Sequence, residues 1–378
     1  MKYLLSIIAS CGLTASLIPA QDFKIKKFIL NPTHLDFEWN SQSGMVYSLW
    51  SSADLTNWGL IAQDIEATAP IGMTSIPLPA DDLLFYRIKE HPGPLVRVQT
   101  VTVGDAGNAA DTSGSSQGNS GAVSYEYQIG KYEVTNREYT DFLNAVDPTG
   151  INKLNLYYVL MGASSHGGIT NTAGNADGSK YEVKAGYANR PVVYVSYFDA
   201  MRFCNWLHNG AQSDGDTENG AYTLLGGGVA PTNGITVVRN PGAKFAVPTE
   251  NEWYKAAYYQ PSGDGGDTNH YWLFPTGGNL EPNASAPPGT SPAANFNGEL
   301  SSAIAVGAYT NTEGHYGTFD MAGNVAEWLE TISAANSSVR VNRGGAYFDR
   351  GIALKATNPN AASPSSELHY RGFRISKP

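Results

Sequence analysis

Apolar residues recur at helical spacing in three short segments of the chain, each preceded by a residue that can cap a helix. A Ser or Thr side chain at such a position accepts a hydrogen bond from a backbone N–H of the first turn. Thr249 and Glu252 form a capping box, and Asp199 stands three residues after Ser196. The pattern predicts three amphipathic helices. Their apolar faces are Tyr139, Phe142, Leu143 and Val146 after Thr135; Ala200, Phe203, Cys204 and Leu207 after Ser196; and Trp253, Ala256 and Ala257 after Thr249.

Residues 22–90 show a different pattern, with short runs rich in β-branched and aromatic residues. Asn-Pro, Ser-Gly and Asp-Leu-Thr-Asn turns separate these runs. We predict a small β module here, and the segment resembles the fibronectin-like modules of exported bacterial proteins. The predicted strands are Phe23 to Leu30, His34 to Trp39, Met45 to Trp50 and Leu84 to Ile88.

A linker containing Pro and Gly, residues 91–96, separates this module from a larger domain, residues 97–378. A strand within Val96 to Val103 is expected to open the larger domain. The chain has 41 glycines and 21 prolines but only 15% charged residues, which indicates a loop-rich globule. Because the domain has few strand-length runs, we expect another agent, such as a bound metal ion, to order its loops.

The N-terminus predicts export. Lys2 precedes an apolar run from Leu4 to Ile18, and Ala20 gives a small residue for cleavage, so residues 1–20 fit a signal peptide. A second interpretation is a lipoprotein box ending at Cys11. No other apolar run is long enough for a membrane anchor. The expected location is periplasmic, cell-surface or extracellular.

Charge and cysteine content narrow the function classes. A net charge of −10 argues against nucleic acid and against an anionic membrane surface as partners. The acidic surface fits either solubility or cation binding. After signal cleavage Cys204 has no cysteine to pair with, and its place on an apolar helix face predicts a buried core thiol.

Six motifs then occur in a familiar order. Together they resemble the formylglycine-generating, or sulfatase-modifying factor, family over roughly residues 97–378. The resemblance implies an irregular, loop-rich α+β fold related to C-type lectins. The motifs are Tyr132-Glu-Val-Thr-Asn136, Arg190-Pro-Val-Val-Tyr-Val-Ser196, Val247-Pro-Thr-Glu250, Phe319-Asp-Met-Ala-Gly-Asn-Val-Ala-Glu-Trp328, Arg343-Gly-Gly345 and Gly372-Phe-Arg374.

The resemblance also implies structural calcium. Side chains of Asp320 and Glu327 would supply oxygens, with the main-chain carbonyls of Gly323 and Val325. A second family site maps onto Asn295 and Phe296, but its aspartate is replaced by Gly307. Glu133 matches a further calcium-linked position, although a glutamate there could instead cap the following helix.

The chain does not resemble the family at the positions of its catalytic cysteines. The family makes formylglycine with two cysteines that bind copper, and Asp349 and Leu354 stand at those positions. A carboxylate and a leucine cannot replace a thiolate pair as soft ligands for copper. Ala346 and Ala326 also replace family residues nearby. We therefore expect calcium but neither copper nor formylglycine formation.

Two hypotheses of function follow. The first is a non-catalytic, calcium-stabilised module that binds a glycan or an exported protein in a groove lined by Tyr347, Phe348, His369 and Tyr370. The second is a metal-dependent oxidase of the non-haem iron type, or a protein-modifying enzyme of altered chemistry. Asp349 and His369 are then the groove candidates, and His315 is a further candidate ligand. The remaining hypothesis is a structural surface protein. The seven histidines show no spacing typical of a metal site.

Overall fold

The computed structural model describes residues 25–41, 45–57, 59–66, 71–78, 85–92, 98–112 and 119–378. The predicted signal peptide and residues 93–96 of the predicted linker lie outside the described residues. The chain forms two compact units, Met1–Leu95 and Val96–Pro378. Within the described residues, no helix has the length and apolar character needed to cross a bilayer.

In its described residues, the first unit contains six antiparallel-paired strands in two three-stranded sheets. In β2, buried and partly exposed residues alternate, as expected for a strand with one face in a core. Inward residues of both sheets, among them Trp39, Tyr47 and Ile88, share one hydrophobic core. The last strand ends at Pro92, two residues into the predicted linker. The strands are β1 Ile25–Leu30, β2 His34–Asn40, β3 Met45–Ser52, β4 Gly59–Glu66, β5 Ile71–Pro77 and β6 Phe85–Pro92.

The second unit contains short strands joined by long irregular segments. The sheet β15-β14-β13-β16 lies next to the acidic motif, and β17 pairs with β8, which pairs with β7. Two smaller pairs are β9 with β10 and β11 with β12. The strands are β7 Thr100–Val103, β8 Tyr127–Gly130, β9 Ile169–Asn171, β10 Tyr181–Val183, β11 Asn283–Ala284, β12 Ala293–Ala294, β13 Ala326–Ile332, β14 Arg340–Arg343, β15 Asn360–Ala362, β16 Arg371–Gly372 and β17 Ser376–Lys377.

The three predicted helices are confirmed. Thr135, Ser196 and Thr249 each cap their helix in a complete capping box. A fourth, four-residue helix follows Val159, and two short 3-10 helices occupy Ser262–Asp264 and Gly351–Leu354. The helices are α1 Asn136–Val146, α2 Leu160–Ala163, α3 Tyr197–His208 and α4 Glu250–Tyr258.

The core of the second unit lies between α1, α3 and β13. Phe142, Phe203 and Trp206 form a mutually packed aromatic group there. Cys204 is fully buried in this core, and burial raises the pKa of its thiol. The prediction of a buried core thiol is therefore confirmed, and a buried, protonated thiol is a poor nucleophile.

Candidate functional site

Three carboxylates from separate segments form an acidic cluster inside the second unit: Glu133, Asp320 and Glu327. Glu327 lies on β13, Asp320 precedes that strand and Glu133 precedes α1. Burial, then repulsion from Asp320 and Glu327, raises the pKa of Glu133 well above its usual range, while Arg374 opposes the shift. The fold has thus brought together three candidate ligands that are up to 194 positions apart in the sequence.

Glu327 is committed to an ion pair. Arg374 donates to its two carboxylate oxygens at 2.6 and 2.7 Å, and the Trp253 indole N–H donates to Oε2 at 2.8 Å. Both charged side chains have no exposed surface. A buried carboxylate satisfied in this way is stable only while its partner stays in place.

Within the described residues, the Asp320 carboxylate accepts fewer hydrogen bonds than that of Glu327. Its Oδ2 accepts a hydrogen bond from the Gly307 N–H at 2.6 Å, and its backbone adopts a left-handed φ of 58°. Its close-packed surroundings raise the pKa of its carboxyl to about 6, although the Gly307 N–H and Arg374 oppose this. A cavity of 10 Å³ adjoins Asp320, about the least volume that can hold one water.

Glu133 begins a buried polar chain. Its Oε1 accepts from the Asn324 amide at 3.0 Å, and Asn324 Oδ1 accepts from the Asn295 amide at 3.3 Å. Within the described residues, Glu133 Oε2 and Asn295 Oδ1 are buried without a hydrogen-bond partner. The alternative that Glu133 caps α1 is wrong, because Thr135 and Glu138 form that cap.

The position that corresponds to the aspartate of the second family site, Gly307, leaves no room for a side chain. Gly307 has φ 69°, and a Cβ there would lie 2.6 Å from Cε1 of Tyr132. A side chain at this position would therefore be strained and would displace the Tyr132 ring. Phe296 is buried in a small apolar cluster with Phe274 and Leu354, while Asn295 lies next to Glu133 through Asn324.

The acidic cluster suits calcium in its chemistry. All the side-chain atoms that could ligate a metal are oxygens. Three ionised carboxylates and the Arg374 guanidinium together carry an excess of two negative charges. In the part of the chain that the structure describes, no group of three His, Cys, Asp or Glu side chains can hold a metal by itself. Main-chain carbonyls such as those of Gly323 and Val325, together with water, would have to complete a calcium shell.

The positions of the two family cysteines do not form a metal pair. Leu354 is 0% exposed and packs with Phe274, Ala294 and Phe296. Asp349 closes a tight turn: its Oδ2 accepts from the Ala346 N–H at 2.9 Å and its own N–H donates to Ala346 O. Burial raises the pKa of the Asp349 carboxyl. These residues do not fit copper, since one is apolar and the other is a hard oxygen donor.

A cavity of 260 Å³ opens where the family's catalytic groove is expected. Phe348 and Tyr370 give it an aromatic side, and their rings meet edge to face with centroids 5.0 Å apart. Asp349 and three asparagines give it a polar side. The lining residues are Ala326, Asn342, Arg343, Gly345, Phe348, Asp349, Ala353, Asn358, Pro359, Asn360 and Tyr370.

Asn342 is the most informative residue of this cavity. It lies on β14 directly opposite Asn360 of β15, and it is 0% exposed. Neither polar atom of its side-chain amide has a hydrogen-bond partner among the described residues. A buried, unpaired amide is costly unless a ligand or water supplies the missing hydrogen bonds. Sequence reasoning missed Asn342.

The other two predicted groove residues lie beside the cavity, outside its lining. The Tyr347 hydroxyl is 2.8 Å from Nδ1 of His369 and 3.3 Å from Nδ1 of His166. The two imidazole centroids are 4.7 Å apart. Sequence reasoning missed His166, which has no spacing relation to His369. His315 is exposed and packs on Tyr316 instead.

The fold and the acidic cluster together define a loop-rich α+β domain of the formylglycine-generating type, without its cysteine pair. Residues 95–377 match the family model described as a sulfatase-modifying factor enzyme 1-like domain. The chain therefore belongs to this family. No curated protein sequence matches the chain.

Solved structures with a similar chain course have low sequence identity. A crystal structure of CarF matches with a TM-score of 0.47 and 21% identity, covering 75% of this chain and 98% of that chain. Treponema denticola variable protein 1 matches with a TM-score of 0.46 and 20% identity, covering 75% of this chain and 95% of that chain. PvdO from Pseudomonas aeruginosa matches with a TM-score of 0.40 and 17% identity, covering 75% of this chain and 92% of that chain.

Proposed function

We propose that this protein is an exported recognition module that binds a glycan in the 260 Å³ cavity. The observation that carries the proposal is the unpaired amide of Asn342, which is fully buried and yet faces the cavity. An amide offers two donors and an acceptor, and this combination matches the hydroxyl groups of a sugar.

The remaining lining supports the same class of ligand. Asp349 adds acceptor oxygens, and Asn358 and Asn360 add further amides. Phe348, which is 41% exposed, provides an apolar face on which a sugar ring can stack. A cavity with a few fixed polar groups and an aromatic wall is typical of a small-molecule site.

Rigid surroundings favour binding. The turn after Gly345 is closed by the two hydrogen bonds between Ala346 and Asp349. In addition, the Gly298 N–H donates to Tyr347 O and the Asn297 N–H donates to Asp349 O. A preformed site loses less conformational entropy when its ligand binds.

Calcium is the proposed stabiliser of this scaffold. Support comes from the unpartnered Oε2 of Glu133, from the excess negative charge of the acidic cluster and from the water-sized cavity at Asp320. Bound calcium would neutralise the charge that Arg374 leaves uncompensated. Export is proposed from the leader-like residues 1–20.

The test is a screen of the purified mature protein against immobilised mono- and oligosaccharides, followed by calorimetry with the best binder. We expect Asn342→Leu, which keeps the number and branching of the side-chain heavy atoms but removes both hydrogen-bonding atoms, to weaken binding at least about tenfold. Phe348→Ala is expected to weaken it by a similar factor.

Ile352→Ala is the matched control, because Ile352 is 60% exposed on the adjoining 3-10 helix and does not line the cavity. It should bind like the unchanged protein, and all variants should show similar melting curves. A protein that binds no saccharide, or an Asn342→Leu variant of full affinity, would contradict the proposal. Binding of peptides instead would assign the cavity to a protein partner.

A further inference from the structure

Beside the cavity, three side chains from separate loops converge through atoms that ligate metals. Nδ1 of His166 and Nδ1 of His369 both face the Tyr347 hydroxyl, at 3.3 and 2.8 Å. The hydroxyl has one proton and can donate it to only one of the two nitrogens, so the other imidazole must carry its own proton at Nδ1. Hydrogen bonding alone therefore requires a different tautomer of each histidine.

The spacing of these groups fits a shared ion. Ligand atoms held about 2.0–2.1 Å from one tetrahedral metal lie roughly 3.3 Å from each other. Two imidazoles on such an ion have ring centres roughly 5 Å apart, and the two rings here have centroids 4.7 Å apart with planes inclined by 31°. Both histidines are half-buried, so an ion could reach them from solvent.

Each of the three residues is held by its backbone. The Lys184 ammonium donates to Ser164 O and Gly167 O on either side of His166, whose N–H donates to Ser164 Oγ. The neighbours of His369 are fixed by hydrogen bonds from the Tyr194 N–H to Leu368 O and from the Ala326 N–H to Tyr370 O.

Tyr347 is fixed at both ends of its own residue, because its N–H donates to Asn324 O and its carbonyl accepts from the Gly298 N–H. The three side chains thus converge from segments that are already ordered. Ligands positioned in this way are typical of sites that bind with little rearrangement.

We propose that His166, Tyr347 and His369 bind a first-row divalent transition-metal ion. Imidazole nitrogen suits zinc, copper, nickel and iron, whereas the hard oxygens of the acidic cluster suit calcium. The site is separate from the calcium proposal and goes beyond the proposed glycan binding, whose lining includes none of the three residues. Tyr347 would join as a ligand by releasing its phenol proton to solvent.

The probe is Cu²⁺, which binds nitrogen ligands most strongly in the divalent series. The mature protein is stripped with chelator, returned to calcium and titrated with Cu²⁺ while electron paramagnetic resonance spectra are recorded. We expect one tightly bound copper per chain with coupling to two nitrogens, and a tyrosinate-to-copper absorption band that Tyr347→Phe removes.

His166→Gln and His369→Gln should each weaken copper binding at least about tenfold, whereas His315→Gln, at an exposed histidine outside the site, should not change it. The two histidines lie on different loops, so either variant suffices if the other does not fold. Undiminished affinity in a folded His166→Gln or His369→Gln variant, or the absence of stoichiometric copper, would overturn the proposal. Asn342→Leu should keep copper binding while losing glycan binding, so the two proposals can fail independently.

Discussion

Glu133→Gln removes one carboxylate from the acidic cluster and keeps the oxygen that accepts from the Asn324 amide at 3.0 Å. It also replaces the unpartnered Oε2 by an amide group that cannot ligate calcium. With Glu133 neutral, only one negative charge remains in excess over Arg374. The variant should therefore fold but lose most of its calcium affinity.

The expected magnitude follows from ligand linkage. Calcium at 100 times its dissociation constant stabilises a folded protein by about 2.7 kcal/mol. For a domain of this size each kcal/mol moves the melting temperature by roughly 2–4 °C. Saturating calcium should thus raise the melting temperature of the unchanged protein by roughly 5–10 °C, and that of Glu133→Gln much less.

When a chelator removes calcium, the unchanged protein should no longer be the more stable of the two. Burial raises the pKa of Glu133, so ionising this carboxyl without a cation costs free energy, and the neutral Gln avoids that cost. Glu133→Gln in chelator should melt at the same temperature as the unchanged protein or higher. Calcium binding to the unchanged protein should also release a proton, which calorimetry in buffers of different ionisation enthalpy measures.

The matched control is Glu182→Gln, which makes the same charge change at an exposed position of β10. It should keep the full calcium-dependent rise. If calcium does not change the melting temperature of the unchanged protein, the calcium site is refuted. If calcium raises the melting temperature of Glu133→Gln by the full amount, Glu133 is not a ligand.

Three further predictions concern residues around the site. Gly307→Asp should lower the free energy of unfolding by about 1–3 kcal/mol, because φ at this position is 69° and the new Cβ would press on Tyr132. For the same reason the variant should bind no additional calcium in equilibrium dialysis. A second bound calcium would contradict this prediction. The double variant Asp349→Cys and Leu354→Cys, supplied with copper and a cysteine-containing sulfatase peptide, should yield no aldehyde. It should also lose about 2 kcal/mol of stability, since Leu354 fills a buried apolar cluster. Aldehyde product would show that the two positions converge. Burial raises the pKa of Asp199 to about 6 from 3.8, so the folded state binds the proton more tightly than the unfolded state and stability falls as pH rises through this interval. The loss through this group is about 3 kcal/mol between about pH 4 and pH 7, and chemical denaturation of Asp199→Asn should show a correspondingly flatter pH dependence; an unchanged slope would contradict the assignment.

The helices could be predicted from the sequence because their signals are local. A capping box needs only residues three positions apart, and Thr135, Ser196 and Thr249 all form one. β14 could not be predicted, because its sequence Arg-Val-Asn-Arg is fully buried without an apolar pattern. Arg340 is buried by donating to the carbonyls of Ile235 and Val237, and such long-range partners leave no periodic signal.

The site was predictable to the same extent. Asp320, Glu327 and Glu133 were found through motifs, and the structure brings them together. Asn324 joins Glu133 to Asn295 by hydrogen bonds. It lies in the same motif as Asp320 and Glu327, directly after Gly323, so the motif itself could have identified it as a site residue. His166 and Asn342 were missed because their roles depend on which loops and strands meet, which residue type and spacing do not encode.

The ion pair between Glu327 and Arg374 also sets an order of events during synthesis. Arg374 donates to Gly130 O, Phe319 O and Glu327, so a single late residue ties together segments made long before it. Contacts of such long sequence separation form slowly, because much of the chain must first be brought together. Until residue 374 has left the ribosome, Glu327 lacks the cation that allows its burial, and the domain cannot close. The nascent chain should therefore stay open and accessible to chaperones until that residue has left the ribosome.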